Sequence, residues 1–150
     1  MDLPDENCEL PAVNAAPREL EGLLRAAKTI AIVGLSPNPG RPSHGVARYL
    51  QARGYRIVPV RPGAAEILGE KCYASLEEIP FPVDIVDVFR RSEHIPALAD
   101  AAVRIKAKAL WLQEGVVHNP AARRAREAGL IVAQNLCILK VHAASSLGRG

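Results

Sequence analysis

Aromatic side chains are scarce, 4% of the 150 residues, which argues against a stacking platform for single-stranded nucleic acid. Net charge is low at +3, too small to imply DNA binding by itself. No apolar run approaches the roughly 20 residues that a membrane span needs. The opening MDLPDENCEL is acidic and polar, so no signal peptide is expected. Cysteine is limited to Cys8, Cys72 and Cys137 with no CxxC, so neither a zinc site nor a disulfide framework is indicated. A cytoplasmic location is the expectation that follows. The most telling absence is local. Residues 28–65 contain no Asp or Glu, against six Lys and Arg.

What is present is the make-up of one globular domain, with 49% apolar residues. Residues 1–16 are polar and read as an arm or a surface strap. Pro17 suits a first helical turn, and Leu20, Leu23, Leu24 and Ala27 fall on one helical face. Residues 29–33 read as a buried parallel strand ending at Gly34. Ser43 is placed as the N-cap of a helix with Val46, Ala47 and Leu50 inside and Gly54 at its end. Strands are predicted over 56–60, 83–89, 109–112 and 130–133. Helices capped by Ser92, and starting at Asn119-Pro120, lie between them. The stretch 66–82 reads as a connection, and 143–150 as a flexible tail. Strands alternating with helices predict an α/β fold, a Rossmann-like three-layer sandwich on a mainly parallel five-stranded sheet. Ligands of such sheets bind outside the carboxyl ends of the strands.

The turn after the first strand, GLSPNPGRPS, is neither a Walker A loop nor GxGxxG. Its residues still suit a phosphate. Gly34 allows close backbone approach, and Ser36 offers a hydroxyl and an N–H. Arg41 has a bidentate fork, and Ser43 lies where a helix begins. The alternative is a plain strand-to-helix loop with Arg41 in water. Past the second strand, NAD sites place an acid for the ribose hydroxyls, whereas a nearby Arg suits a ribose phosphate. This chain has Arg61 there and Lys71 soon after. Together they favour a ligand with an extra phosphate, such as coenzyme A or NADP.

These segments, GLSPNPGRPS, VDIVDVFRRSE, WLQEG and AGLIVAQNLC in that order, closely resemble the small bacterial and archaeal CoA-binding protein family. That family is similar to the CoA-binding domain of the succinyl-CoA synthetase α subunit. The resemblance runs from about Lys28 to His142. It implies a stand-alone Rossmann-type domain that binds CoA or an acyl-CoA. The diphosphate would lie on Gly34, Leu35, Ser36 and Arg41. The adenine and ribose phosphate would lie near Val60, Arg61, Pro62 and Lys71. The pantetheine arm would pass Phe89 and Arg90 toward Gln113. The family usually has Asn in place of Arg61. It also has an Asp-Arg-Cys run and then Glu-His where this chain has Asn135, Leu136, Cys137, Val141 and His142.

The remaining chemistry-bearing residues are read more plainly. Asp84 and Asp87 point to opposite faces of their strand, so they are a poor acid–base pair. Asp87 is expected as a buried carboxylate hydrogen-bonded to a loop. His44, His94, His118 and His142 lack metal spacing, and His44 is expected at the surface. Trp111 is expected in the core, and Cys137 as a small buried residue, with a thiol beside that of CoA as the sharper alternative. No catalytic or metal residue is assigned. The function expected is CoA binding by a carrier, sensor or regulatory module. The alternatives are part of an acyl-CoA or NADP-using enzyme, or an NAD(H)-sensing protein. A homodimer or a protein partner is compatible with either.

Overall fold

The computed structural model describes residues 10–12 and 14–149. Its centre is a five-stranded sheet in the order β2-β1-β5-β6-β7. The strands are β1 (Thr29–Val33), β2 (Arg56–Val60), β5 (Ile85–Val88), β6 (Ala109–Leu112) and β7 (Ile131–Ala133). Every pairing in it is parallel. The strands are short apolar runs because both faces are covered. Alternate side chains go to opposite faces. Val58, Val86, Val88, Leu110 and Val132 meet α3 (Ile95–Arg104) and α4 (Asn119–Glu127) through Ile95, Ala99, Ala102, Ala121 and Ala125. Ile30, Ile32, Ile57, Ile85 and Trp111 meet the other layer: α1 (Pro17–Ala26), α2 (Pro42–Ala52) and α5 (Ile138–Ala144). The result is the expected α/β three-layer sandwich, with its main sheet wholly parallel.

Local chemistry explains the departures from the sequence reading. The helix after the loop begins at Pro42, not after a Ser43 cap. Pro lacks an N–H and so loses nothing at a first helical position. Ser92 caps nothing. It opens a 3-10 turn (Ser92–His94) before α3, and its Oγ accepts the Val117 N–H at 3.2 Å. The connection after β2 contains an antiparallel hairpin, β3 (Glu66–Ile67) and β4 (Glu70–Lys71). Its two-residue turn places Leu68 at φ 54° and Gly69 at φ 77°. A Leu in that conformation is uncommon, so the turn carries no recognisable signal. Beyond it, Tyr73 pairs with Val60, covering the edge of β2. Residues 138–144 form α5, a helix the sequence reading omitted, and a 3-10 turn (Ser146–Arg149) follows.

Two groups of contacts tie distant parts of the chain together. Asp84, just before β5, accepts the backbone N–H groups of Lys28 (2.8 Å) and Thr29 (3.0 Å) and lies 3.4 Å from Lys108 Nζ. In the amino-terminal segment, the Ala12 N–H reaches Asn119 Oδ1 at 2.8 Å and the Ala15 N–H reaches Val132 O at 3.1 Å. Residues 1–9, with Cys8, and residue 13 lie outside the described residues.

Candidate functional site

In the order β2-β1-β5, the chain leaves β1 toward one side and later returns on the other. The connections leaving the carboxyl ends of the paired strands β1 and β5 therefore run to opposite sides of the sheet, and the crevice between them is the usual ligand position. A cleft of about 540 Å³ opens there. It runs from Pro42 and Val46 on α2, past Phe89 and Arg90 after β5, to Gln113, Gly115 and Cys137.

The β1–α2 loop is organised by its own side chains. The Ser36 N–H donates to Ser43 Oγ (2.9 Å), the Asn38 N–H to Ser36 Oγ (3.1 Å) and the Gly40 N–H to Asn38 Oδ1 (2.9 Å). Pro37, Pro39 and Pro42 have no N–H to offer. The Ser36 N–H is thus already engaged, contrary to the sequence reading, while its hydroxyl proton remains free to be donated. Ser43 is buried as the acceptor that holds this turn, and Arg41 is exposed beside it. Gly34 sits at φ +84°, and a Cβ there would lie 2.7 Å from the Phe89 carbonyl oxygen. Its smallness is required by the crowding of β1 against β5. His44, expected at the surface, is buried.

Arg61 is drawn toward this loop. The Gly34 N–H donates to Val60 O at 2.9 Å, and Arg61 Nη1 reaches the Leu35 carbonyl at 3.5 Å. Leu35 itself is core. Arg61 Nε is buried with no hydrogen-bond partner among the described residues, a donor left for an anion. Pro62 follows at the surface. Lys71 is not brought to this end. It lies on β4, with Nζ 5.2 Å from the Tyr73 ring centroid, beside a small depression shared with Arg56 and Val58.

At the far end of the cleft, Gln113 is buried and its Nε2 donates to Asp87 Oδ1. Asp87 is completely buried. Burial pushes its carboxyl up to about 8, against the opposing effect of the Gln113 hydrogen bond, so it is neutral at pH 7. Its Oδ2 has no partner among the described residues. The carboxylate bonded to a loop is therefore Asp84, and Asp87 binds a side chain instead. Because Gln113 spends an amide hydrogen on Asp87, its carbonyl is left as an acceptor. Arg90 Nη2 is 3.2 Å from His94 Nε2. Trp111 is fully buried with its Nε1–H on Leu136 O (2.9 Å), as expected. Cys137 is half-buried and lines the cleft. Val46, read from the sequence as an inner helix residue, and the Gly115 turn of the WLQEG segment also line it, although the sequence reading assigned neither to the site. Asn135 holds that turn by accepting the Gly115 N–H at 2.7 Å from a φ of 57°. Its only sequence signal is Asn after a strand, the commonest non-glycine choice for positive φ.

Known proteins resemble this chain over most of its length. Residues 28–143 match the CoA binding domain family. An uncharacterised protein of Bacillus subtilis, YneT, is 43% identical over 130 residues, 87% of this chain and 96% of its own. A solved hypothetical protein from Pyrococcus horikoshii superposes with a TM-score of 0.83 at 34% identity, covering 89% of this chain and 94% of that one. The dinucleotide-forming acetyl-coenzyme A synthetase 1 of Ca. Korarchaeum cryptofilum matches with a TM-score of 0.66 at 25% identity. That match covers 77% of this chain but only 27% of the synthetase.

Proposed function

The chain belongs to the CoA binding domain family, and on that premise we propose that it binds coenzyme A, free or acylated, along the switch-point cleft. The observation that carries the reading is the course of that cleft. It starts at Pro42, on the first turn of α2 beside the phosphate loop, and ends at Gln113. In this reading the diphosphate lies against the Ser36 hydroxyl, Arg41 and the amino end of α2, where the helix dipole favours negative charge. The ribose phosphate takes Arg61, whose buried Nε lacks a partner among the described residues. The pantetheine arm follows Phe89 and Arg90, and the Gln113 carbonyl accepts from one of its amide N–H groups. Lys71 is left out of this set. The role we propose is a carrier, sensor or regulatory module. The partial match to an acetyl-CoA synthetase supports a second reading, a CoA-handling piece of a larger ligase assembly.

Calorimetry with CoA, 3′-dephospho-CoA, acetyl-CoA, NADP and NAD tests both ligand and orientation. CoA should bind best among these nucleotides. Loss of the 3′-phosphate should weaken binding about tenfold, the scale of one charge-assisted hydrogen bond. Arg61→Ala should erase that difference while leaving dephospho-CoA affinity nearly unchanged. Equal affinity of the wild type for CoA and dephospho-CoA would remove Arg61 from the phosphate. NAD binding more tightly than CoA would overturn the ligand.

A further inference from the structure

The opposite end of the sheet carries a second pocket, of about 410 Å³. Lys28 enters it just before β1, and Arg53 and Tyr55 just before β2. Arg25 and His142 close it from α1 and α5. Three cationic side chains therefore face one concavity, and among the described residues its lining holds no carboxylate. Among the described residues none of the three forms an ion pair with an acid. Arg25 Nη2 donates to Ser146 Oγ at 3.3 Å, and the Arg53 guanidinium lies 5.1 Å from the Tyr49 ring. Two carboxylates lie just outside the lining, and Glu21 shares with Arg25 the hydroxyl of Ser146. Glu21 accepts from Ser146, and Asp84 accepts the Lys28 backbone N–H and meets Lys108.

The buried wall of this pocket is polar. His142 is 4% exposed, and its Nδ1 lies 2.9 Å from the Tyr49 hydroxyl. When the phenol donates there, the neutral ring carries its proton on Nε2. The Tyr55 hydroxyl is spent on the Leu24 carbonyl. Burial, and then the charge of Arg53, holds His142 below its ordinary pKa. The imidazole thus senses the positive field of the pocket. Arg25, Lys28 and Arg53 are exposed around one concavity, where like charges repel one another, and an anion seated among them relieves that repulsion.

We propose that this pocket is an anion site separate from the CoA cleft, built for a phosphoryl group by Arg25, Lys28 and Arg53 with His142 at its wall. The cavity is larger than a phosphate ion, so a phosphorylated small molecule fits as well as free phosphate. The site lies at the amino ends of the strands, so both pockets can be filled at once.

The test follows the His142 ring by NMR in the full chain. It is titrated with inorganic phosphate, with a nucleoside monophosphate, and with chloride at matched ionic strength. Phosphate should shift the resonance saturably, raise the apparent pKa of His142 and raise the Tm of the wild type. A tighter response to the nucleoside monophosphate would assign the site to organic phosphates, and a tighter response to phosphate to the free ion. Lys28→Gln with Arg53→Gln should weaken phosphate at least about tenfold, the loss expected when charge-assisted contacts are removed. The Tm of that variant without phosphate should be at least that of the wild type, since repulsion is relieved. A response that chloride reproduces, or that never saturates, would mean screening and overturn the site. So would competition by saturating CoA. Failure of CoA to bind at all would sink the function proposed above and leave this site standing.

Discussion

Gly34 shows how much one missing side chain can decide. Its φ of +84° is strained for any L-residue, and its neighbour across the sheet is a backbone carbonyl that cannot move aside. Gly34→Ala should cost at least about 2 kcal/mol, more than the 1–2 kcal/mol of the conformation alone. It should also weaken CoA by displacing the loop. Gly115→Ala is the control: it has positive φ but nothing within 4 Å of the added carbon, so it should cost less. Urea denaturation of both variants measures the difference. Equal losses would mean that the Phe89 carbonyl is not what limits the site. Sequence alone marked Gly34 as special. It could not say why, because the reason lies 55 residues further along the chain, at Phe89.

At the scale of elements, strand order depends on what holds the amino ends in register. Asp84 takes the N–H groups of Lys28 and Thr29 at the start of β1 and meets Lys108 before β6. Burial alone would raise its pKa, but the two N–H donors and Lys108 outweigh that and hold it low. Its contribution is present above the ordinary carboxylate pKa and is lost as pH falls through the depressed value. Asp84→Ala should therefore cost about 2–3 kcal/mol at pH 7, the worth of one or two hydrogen bonds to a charged acceptor. The deficit should shrink in acid. Denaturation at pH 7 and pH 3 checks it, and a deficit independent of pH would assign the effect to packing. The five strands were legible as short apolar runs bounded by turn residues, and most helices because their apolar residues repeat with the helical period. The β3–β4 hairpin and α5 were not. A Leu-Gly turn and a seven-residue helix carry too little local signal.

For the molecule as a whole, the unusual titration belongs to Asp87. Its carboxyl is neutral in the folded chain up to about pH 8 but ionised in the unfolded chain above the ordinary value of 3.8. Folding thus takes up a proton between those limits, so stability falls as pH rises through the interval and levels off beyond it. The slope from this group alone is at most about 1.4 kcal/mol per pH unit. His142, held below its ordinary value, acts in the opposite sense as pH falls below that value, so the wild-type curve sums both. Asp87→Asn keeps the shape and an acceptor for Gln113. Its stability should gain on the wild type steadily from pH 5 to pH 8. Parallel curves for the two proteins would show that Asp87 is ionised in the folded state.

The sequence by itself determined the α/β class, the carboxyl ends of the strands as the place to look, and the likeness to CoA-binding proteins. Those follow from apolar periodicity, turn residues and ordered motifs, all of which are local. Tertiary structure decided which of the candidates meet. It placed Arg61 over the Leu35 carbonyl and left Lys71 on an outer hairpin, though the two are ten residues apart. It also joined Asp87 to Gln113 across two strands and gathered Arg25, Lys28, Arg53 and His142 at the other end of the sheet. The physical reason is that parallel strands need long crossovers. Residues that share a site here come from separate strand ends, and only the order of the sheet brings them together.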